Sequence, residues 1–204
     1  MKLINGLSSM LFLLSGFSSI KTQNVLWIFM NFSAAYTSLM YNLHKFDLYE
    51  KYPEKEITKY DLSEIYDKHL FNDYIVISIM GYMNIENTIL KIVVLLSLLT
   101  EYYFTKCIVR SKNLSFSIGV VSRFSKMISM CKNGLLTCDT VFCTFINLFN
   151  IMSVLIIRNK YGYNREQKNI NLILTTLWHY YITMVLCNVS HSMFIETNNN
   201  HGNQ

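Results

Sequence analysis

The sequence predicts an all-α fold: a polytopic integral membrane protein with helical hairpins and an amphipathic interfacial helix. Three observations carry this expectation. No residue from Thr22 to Leu43 is charged, and uncharged apolar runs return at Leu3–Ile20, Ile92–Thr100, Thr140–Ile157 and Ile170–Ile195. About 20 apolar residues in helical form match the roughly 30 Å hydrocarbon core of a bilayer, and one soluble core cannot hide so many runs of this kind. A single proline, Pro53, and 7 glycines leave little material for the turns of an all-β fold.

At 204 residues the chain fits one domain, expected over 1–196 and followed by an Asn-rich, disordered tail at 197–204. Ala occurs only at 34 and 35 while Ile, Asn, Lys, Tyr and Phe abound, a bias that an AT-rich genome writes regardless of function. Run length therefore weighs more than mean hydropathy. The net charge of +5 is compatible with nucleic acid, but the basic residues cluster beside apolar segments, where anionic lipid accounts for them.

Leu3–Ile20 carries Gly16, Ser18 and Ser19 near its end, as a signal peptide does, but has no A-x-A-like site. With the next run starting almost at once, a hairpin turning at Lys21–Asn24 is the better expectation, Trp27 and Tyr41 lying near the two interfaces. His44–His69 alternates sign with interleaved Tyr and Leu and reads as a solvated, partly helical connector or a docking surface. Leu70–Met83 contains Asp73 and is too short to cross alone at about 21 Å; polar Asn84, Glu86 and Asn87 make a turn before Thr88–Thr100, which holds Lys91. Such a hairpin crosses a thin membrane or wedges into one leaflet.

Arg110–Lys132 differs in kind. Leu114, Ile118, Val121, Phe124, Ile128 and Cys131 fall along one helical face, and Ser115, Gly119, Ser122, Arg123, Lys126 and Ser129 along the other. A basic amphipathic helix of this pattern lies in the headgroups of an anionic leaflet, with Leu114, Ile118, Val121, Arg123, Phe124, Lys126 and Ile128 as the membrane-surface residues. A helix packed on the chain's own bundle needs the same stripe. Gly134–Ile157 is the best later span, with Asp139 placed to cap or snorkel at its start. Thr175, Thr176, His179 and Thr183 gather on one side of the final run. The topology holds a conflict: Lys106–Lys132 and Arg158–Lys168 are both basic, yet a single crossing by 134–157 puts them on opposite sides.

The five cysteines read as free thiols, and neither they nor the five isolated histidines have metal-ligand spacing, so no metal and no cofactor is expected. The sequons at Asn31, Asn113 and Asn188 locate nothing in so Asn-rich a chain. Phosphate-binding, dinucleotide, zinc-protease and nucleophile-elbow motifs do not occur. A non-enzymatic protein is expected. A small transporter or channel subunit needs Asp73, Lys91 and Asp139 to converge near the midplane, and a lipid-modifying enzyme needs clustered His and acids.

The order of parts, with the run Leu95 to Lys106 (Leu-Leu-Ser-Leu-Leu-Thr-Glu-Tyr-Tyr-Phe-Thr-Lys) and Cys138-Asp139-Thr140-Val141-Phe142, resembles the transmembrane protein 33 family over roughly residues 24–181. Where that family carries Asn-Pro-Tyr, this chain has Tyr161-Gly162-Tyr163-Asn164-Arg165. The resemblance implies a protein of the endoplasmic reticulum and nuclear envelope that shapes tubular or pore membrane, binds reticulon-like or nuclear pore proteins and supports nuclear pore organisation. Its expected partner on the sequence itself is the lipid bilayer, with anionic lipid and no nucleic acid.

Overall fold

The computed structural model describes residues 2–51, 75–104, 109–161 and 168–202, and among these every regular element is helical. Helices α1 (Lys2–Ser9) and α2 (Leu11–Ile20) form one rod interrupted at Met10. There the backbone N–H reaches both Gly6 and Leu7 carbonyls, the tightened geometry of a 3₁₀ turn. Gln23, at φ 55°, reverses the chain, and Asn24 Oδ1 accepts the Trp27 N–H at 3.0 Å to cap α3 (Val25–Lys51). The turn lies where the sequence places it. Gly16 seated on the Phe32 ring, Gly6 beside Leu39 and Leu43, and Ser9 bonded to Asn42 make α3 antiparallel to α1 and α2.

Residues 75–83 form α4, with Gly81 and Tyr82 carbonyls closing the turn at Asn84 and Ile85. Asn87 Oδ1 caps α5 (Thr88–Phe104), and Lys91 in its first turn sits 5.4 Å above the Tyr82 ring. Asp73 and most of the 44–69 connector lie outside the described residues. Helix α4 runs parallel to α6 (Val109–Lys132): Ser115 donates to the Ser78 carbonyl at 3.0 Å, and a side chain on Gly119 would collide with the Gly81 backbone. Small residues permit this approach, as is common between membrane helices.

Helix α6 ends at Gly134, whose φ of 71° turns the Leu135 and Leu136 N–H groups back onto the Met130 carbonyl. Cys131 and Cys138 are disulfide-bonded across this turn, their Cα atoms 5.7 Å apart. This corrects the expectation of free thiols. The sequence separation of 7 gave no motif, but a left-handed glycine folds the two positions together. Cys143 and Cys187 are free; Cys107 is outside the described residues.

Helix α7 (Cys138–Tyr161) starts with exposed Asp139 in its first turn, where a carboxylate complements the helix dipole, and runs antiparallel to α6 through Phe124 stacked on Phe145. Helix α8 (Lys168–Gly202) is the hub, packing on α7, α2 and α1 and bonding to α3 and α6. It continues through the segment expected to be a disordered tail from 197, with Thr197 bonded to the Met193 carbonyl. The core comprises Trp27, Met80, Met127, Val185 and their neighbours. Trp27 is 1% exposed and donates to Ser190 rather than lying at an interface.

Among the described residues two helices are long and apolar enough to cross a membrane, Cys138–Ile157 and Leu172–Asn199; Gly6–Ile20 and Thr88–Thr100 are shorter apolar helices. Although uncharged from Val25 to Leu43, α3 is diluted by Asn31, Ser38 and Asn42, which turn inward.

Candidate functional site

Helix α6 was the predicted surface element, and the structure divides its seven residues between outside and inside. Leu114, Val121 and Ile128 point outward, Val121 at 67% exposure. Ile118 is half-buried and lines an open groove with Glu86, Leu90 and Ser122; Phe124 is half-buried against Phe145 of α7. Arg123 and Lys126 go the other way. Arg123 as a residue is 5% exposed, with Nε and Nη2 donating to Ser192 Oγ at 3.1 and 2.9 Å and Nη1 to Glu196 at 2.8 Å. Lys126 bridges Glu196 and Glu86.

Of the polar face of α6, Ser115, Gly119 and Arg123 are turned into the bundle, Ser122 and Lys126 are half-buried and Ser129 is exposed. Its cations meet carboxylates from the 84–87 turn and from α8. A buried charge persists only when paired, and Glu86 and Glu196 supply the pairing. Neither carboxylate carries a sequence signal linking it to residue 123 or 126, which lie some 40 and 70 positions away.

A second polar region runs between α1/α2, α3 and α8. His179, on the polar side of α8 noted in the sequence, has Nδ1 2.9 Å from Ser8 Oγ and Nε2 3.1 Å from Ser38 Oγ. Ser38 donates to Ser9, and Asn42 Nδ2 donates to Ser9 at 2.8 Å. The Phe12 ring closes on the imidazole edge-on at 5.3 Å. At the far end of the same seam Trp27 Nε1 donates to Ser190 at 3.0 Å. Between the two ends, by register, lie Asn31 Oδ1 and Thr183 Oγ1, buried with no hydrogen-bond partner. Two hydroxyls flanking an imidazole serve either protonation state, because a hydroxyl both donates and accepts. The cluster was invisible as a set: Ser8, Ser38 and His179 come from three helices, and Ser8 and His179 are 171 residues apart.

The outer surface is rich in large apolar side chains. Phe142, Phe145, Phe149 and Met152 on α7 are all more than half exposed, as are Ile92 and Leu96 on α5. Serines, threonines and asparagines share the helix interfaces with the apolar core, and large apolar side chains also face out. Among the described residues no group of three or more His, Cys, Asp or Glu could hold a metal ion. No family model, no curated protein and no solved structure matches the chain.

Proposed function

We propose that the protein is a polytopic integral membrane protein without catalytic activity that shapes membrane of the endoplasmic reticulum and nuclear envelope. The observation that carries the proposal is the outer surface: a girdle of exposed Phe, Ile and Leu on α5 and α7 around an interior in which hydrogen-bonded Ser, Thr and Asn side chains share the helix interfaces with apolar ones. Water does not favour that arrangement, whereas hydrocarbon does. Shaping follows from unequal helix lengths. Helix α5 has 17 residues, about 26 Å, whereas the apolar stretch of α8 has 28 residues, about 42 Å. A bundle with a short arm on one flank and long helices on another imposes unequal hydrophobic thickness on the surrounding lipid, which responds by thinning and bending. The outward stripe of Leu114, Val121 and Ile128 adds apolar surface beside the short arm. Reticulon-like and nuclear pore partners follow from the family resemblance.

The test is reconstitution of the purified chain into vesicles, examined by electron microscopy. Tubules or strongly curved profiles are expected. Inserting four leucines after Leu99, which brings α5 to full span, should return the vesicles to spheres while the protein stays resistant to carbonate extraction. Spherical vesicles with the parent chain, or equal tubulation by both, would overturn the shaping mechanism.

A second reading, a small transporter or channel subunit, is favoured by the seam around His179. Of the polar residues that the sequence offered for it, Asp73 lies outside the described residues, Lys91 lies over Tyr82 at the 84–87 turn, and Asp139 is exposed at the start of α7. Proton flux into vesicles that is lost in His179→Phe would favour this reading over shaping.

A further inference from the structure

The directions of the helices gather the basic residues at one end of the bundle. Gly81 against Gly119 and Arg123 against Ser192 make α4, α6 and α8 parallel; Ser8 against His179 adds α1 and α2 to that set. Trp27 with Ser190 and Thr144 with Asn188 make α3 and α7 opposed to α8. Thus α1, α6 and α8 begin at the same end at which α3 and α7 finish. The backbones of Lys2, Lys51, Arg110, Lys112, Lys160 and Lys168 are all at that end. The opposite end holds the turns at 21–24, 84–87 and 133–137 and the last turns of α8. Among the described residues, the Lys and Arg in the half nearer those turns are Lys21, Lys91, Arg123, Lys126 and Lys132. Two of these five are occupied by Glu86 and Glu196. The other cations among the described residues, Lys45 and Arg158 included, lie in the half nearer the first end. This removes the sequence-level conflict: α6 itself traverses the bundle, so the basic starts of α6 and α8 share an end.

On the membrane reading, on which this assignment rests, we infer that the first end is the cytoplasmic face, where its cationic rim meets anionic headgroups, and that the turn end faces an oxidising lumen. Two independent observations agree. Lys and Arg near span ends are retained on the cytoplasmic side, with Asp and Glu counting little. The Cys131–Cys138 disulfide closes the 133–137 turn at the opposite end, and disulfides persist in the lumen rather than in the reducing cytosol. A lumenal disulfide and a cytosolic basic rim require the same orientation.

The experiment is glycan-acceptor mapping in microsomes. A flexible acceptor segment is inserted after Asp61 or fused after Gln204, with the parent chain as baseline. The fusion after Gln204 should gain a glycan and the insertion at 61 none. In a chain with Cys107, Cys143 and Cys187 replaced by Ser, Cys131 and Cys138 should react with maleimide only after reduction. A glycan at 61, or free thiols at 131 and 138, would overturn the orientation. Arg110→Gln, Lys112→Gln, Arg158→Gln and Lys160→Gln together should yield a mixed or inverted glycan pattern. Adding charge at the exposed turn, Asn133→Lys with Thr137→Lys, should do the same without touching the rim. Unchanged patterns in both variants would overturn the role of the rim. Release of the parent chain by alkaline carbonate is a separate outcome, which would defeat the membrane reading itself.

Discussion

Replacing Glu196 with Gln keeps the side-chain shape and removes the charge that holds Arg123. Arg123 would then keep Ser192 but lose its carboxylate, while Lys126 retains Glu86. Breaking a buried ion pair from one side costs about 3–5 kcal/mol, because the surviving charge stays buried without compensation. The Arg123 side chain is 6% exposed and that of Glu196 31%, so solvent screens part of the interaction and the lower figure, about 3 kcal/mol, applies. At roughly 2–4 °C per kcal/mol for a chain of this length, Tm should fall by about 6–12 °C. The assay is thermal unfolding of purified protein in mild detergent, followed by tryptophan fluorescence. The double variant Arg123→Met with Glu196→Met removes both charges and should recover most of the loss, because an apolar pair of similar volume leaves nothing uncompensated. A Glu196→Gln variant melting within about 2 °C of the parent would refute the reasoning and place the charge partner of Arg123 elsewhere, with lipid headgroups the natural candidate.

Other perturbations probe the rest of the bundle. Gly119→Val drives a side chain into the Gly81 backbone and should cost at least about 1–3 kcal/mol, read as loss of monodisperse protein in detergent. His179→Phe removes the ring nitrogens that meet Ser8 and Ser38 and should destabilise by about 1–3 kcal/mol, with His179→Gln milder because an amide still donates and accepts; melting curves rank the two. Cys138→Ser opens a short loop and should cost about 2–3 kcal/mol under non-reducing conditions, with little difference from the parent once reductant is added.

Much of the helix layout was legible because membrane helices are punctuated by few residue types. Asn24, the Asn84–Asn87 group and Gly134 each end a helix or cap the next one, and all are visible in the sequence. The apolar runs at 140–157 and 170–195 correspond to the two helices long enough to cross a membrane. What could not be read was pairing. Trp27 has the amphipathic ring of an interfacial residue, but Ser190 accepts its N–H from 163 positions away, and that bond draws it into the core. Cys131 and Cys138 looked unrelated because their spacing fits no metal or redox motif; only the left-handed backbone at Gly134 brings them together.

Helix α6 illustrates the deeper ambiguity. Periodicity assigns each residue to one of two faces but does not say which face is inside. In water the answer is automatic, because the apolar face turns to the core. Between a bilayer and a bundle the sign is open: an apolar stripe suits lipid, and a polar stripe suits either headgroups or partner side chains. The sign here is set by residues outside the helix. Gly81 lets α4 approach Gly119 closely enough for Ser115 to bond its neighbour's backbone, and Glu86 and Glu196 then stand within reach of Lys126 and Arg123. Once those carboxylates are in place, turning Arg123 outward would strand Glu196, so the polar face is held in and Leu114, Val121 and Ile128 are left to the surroundings. Pairing across helices, rather than the amphipathic pattern itself, decides which way this helix faces.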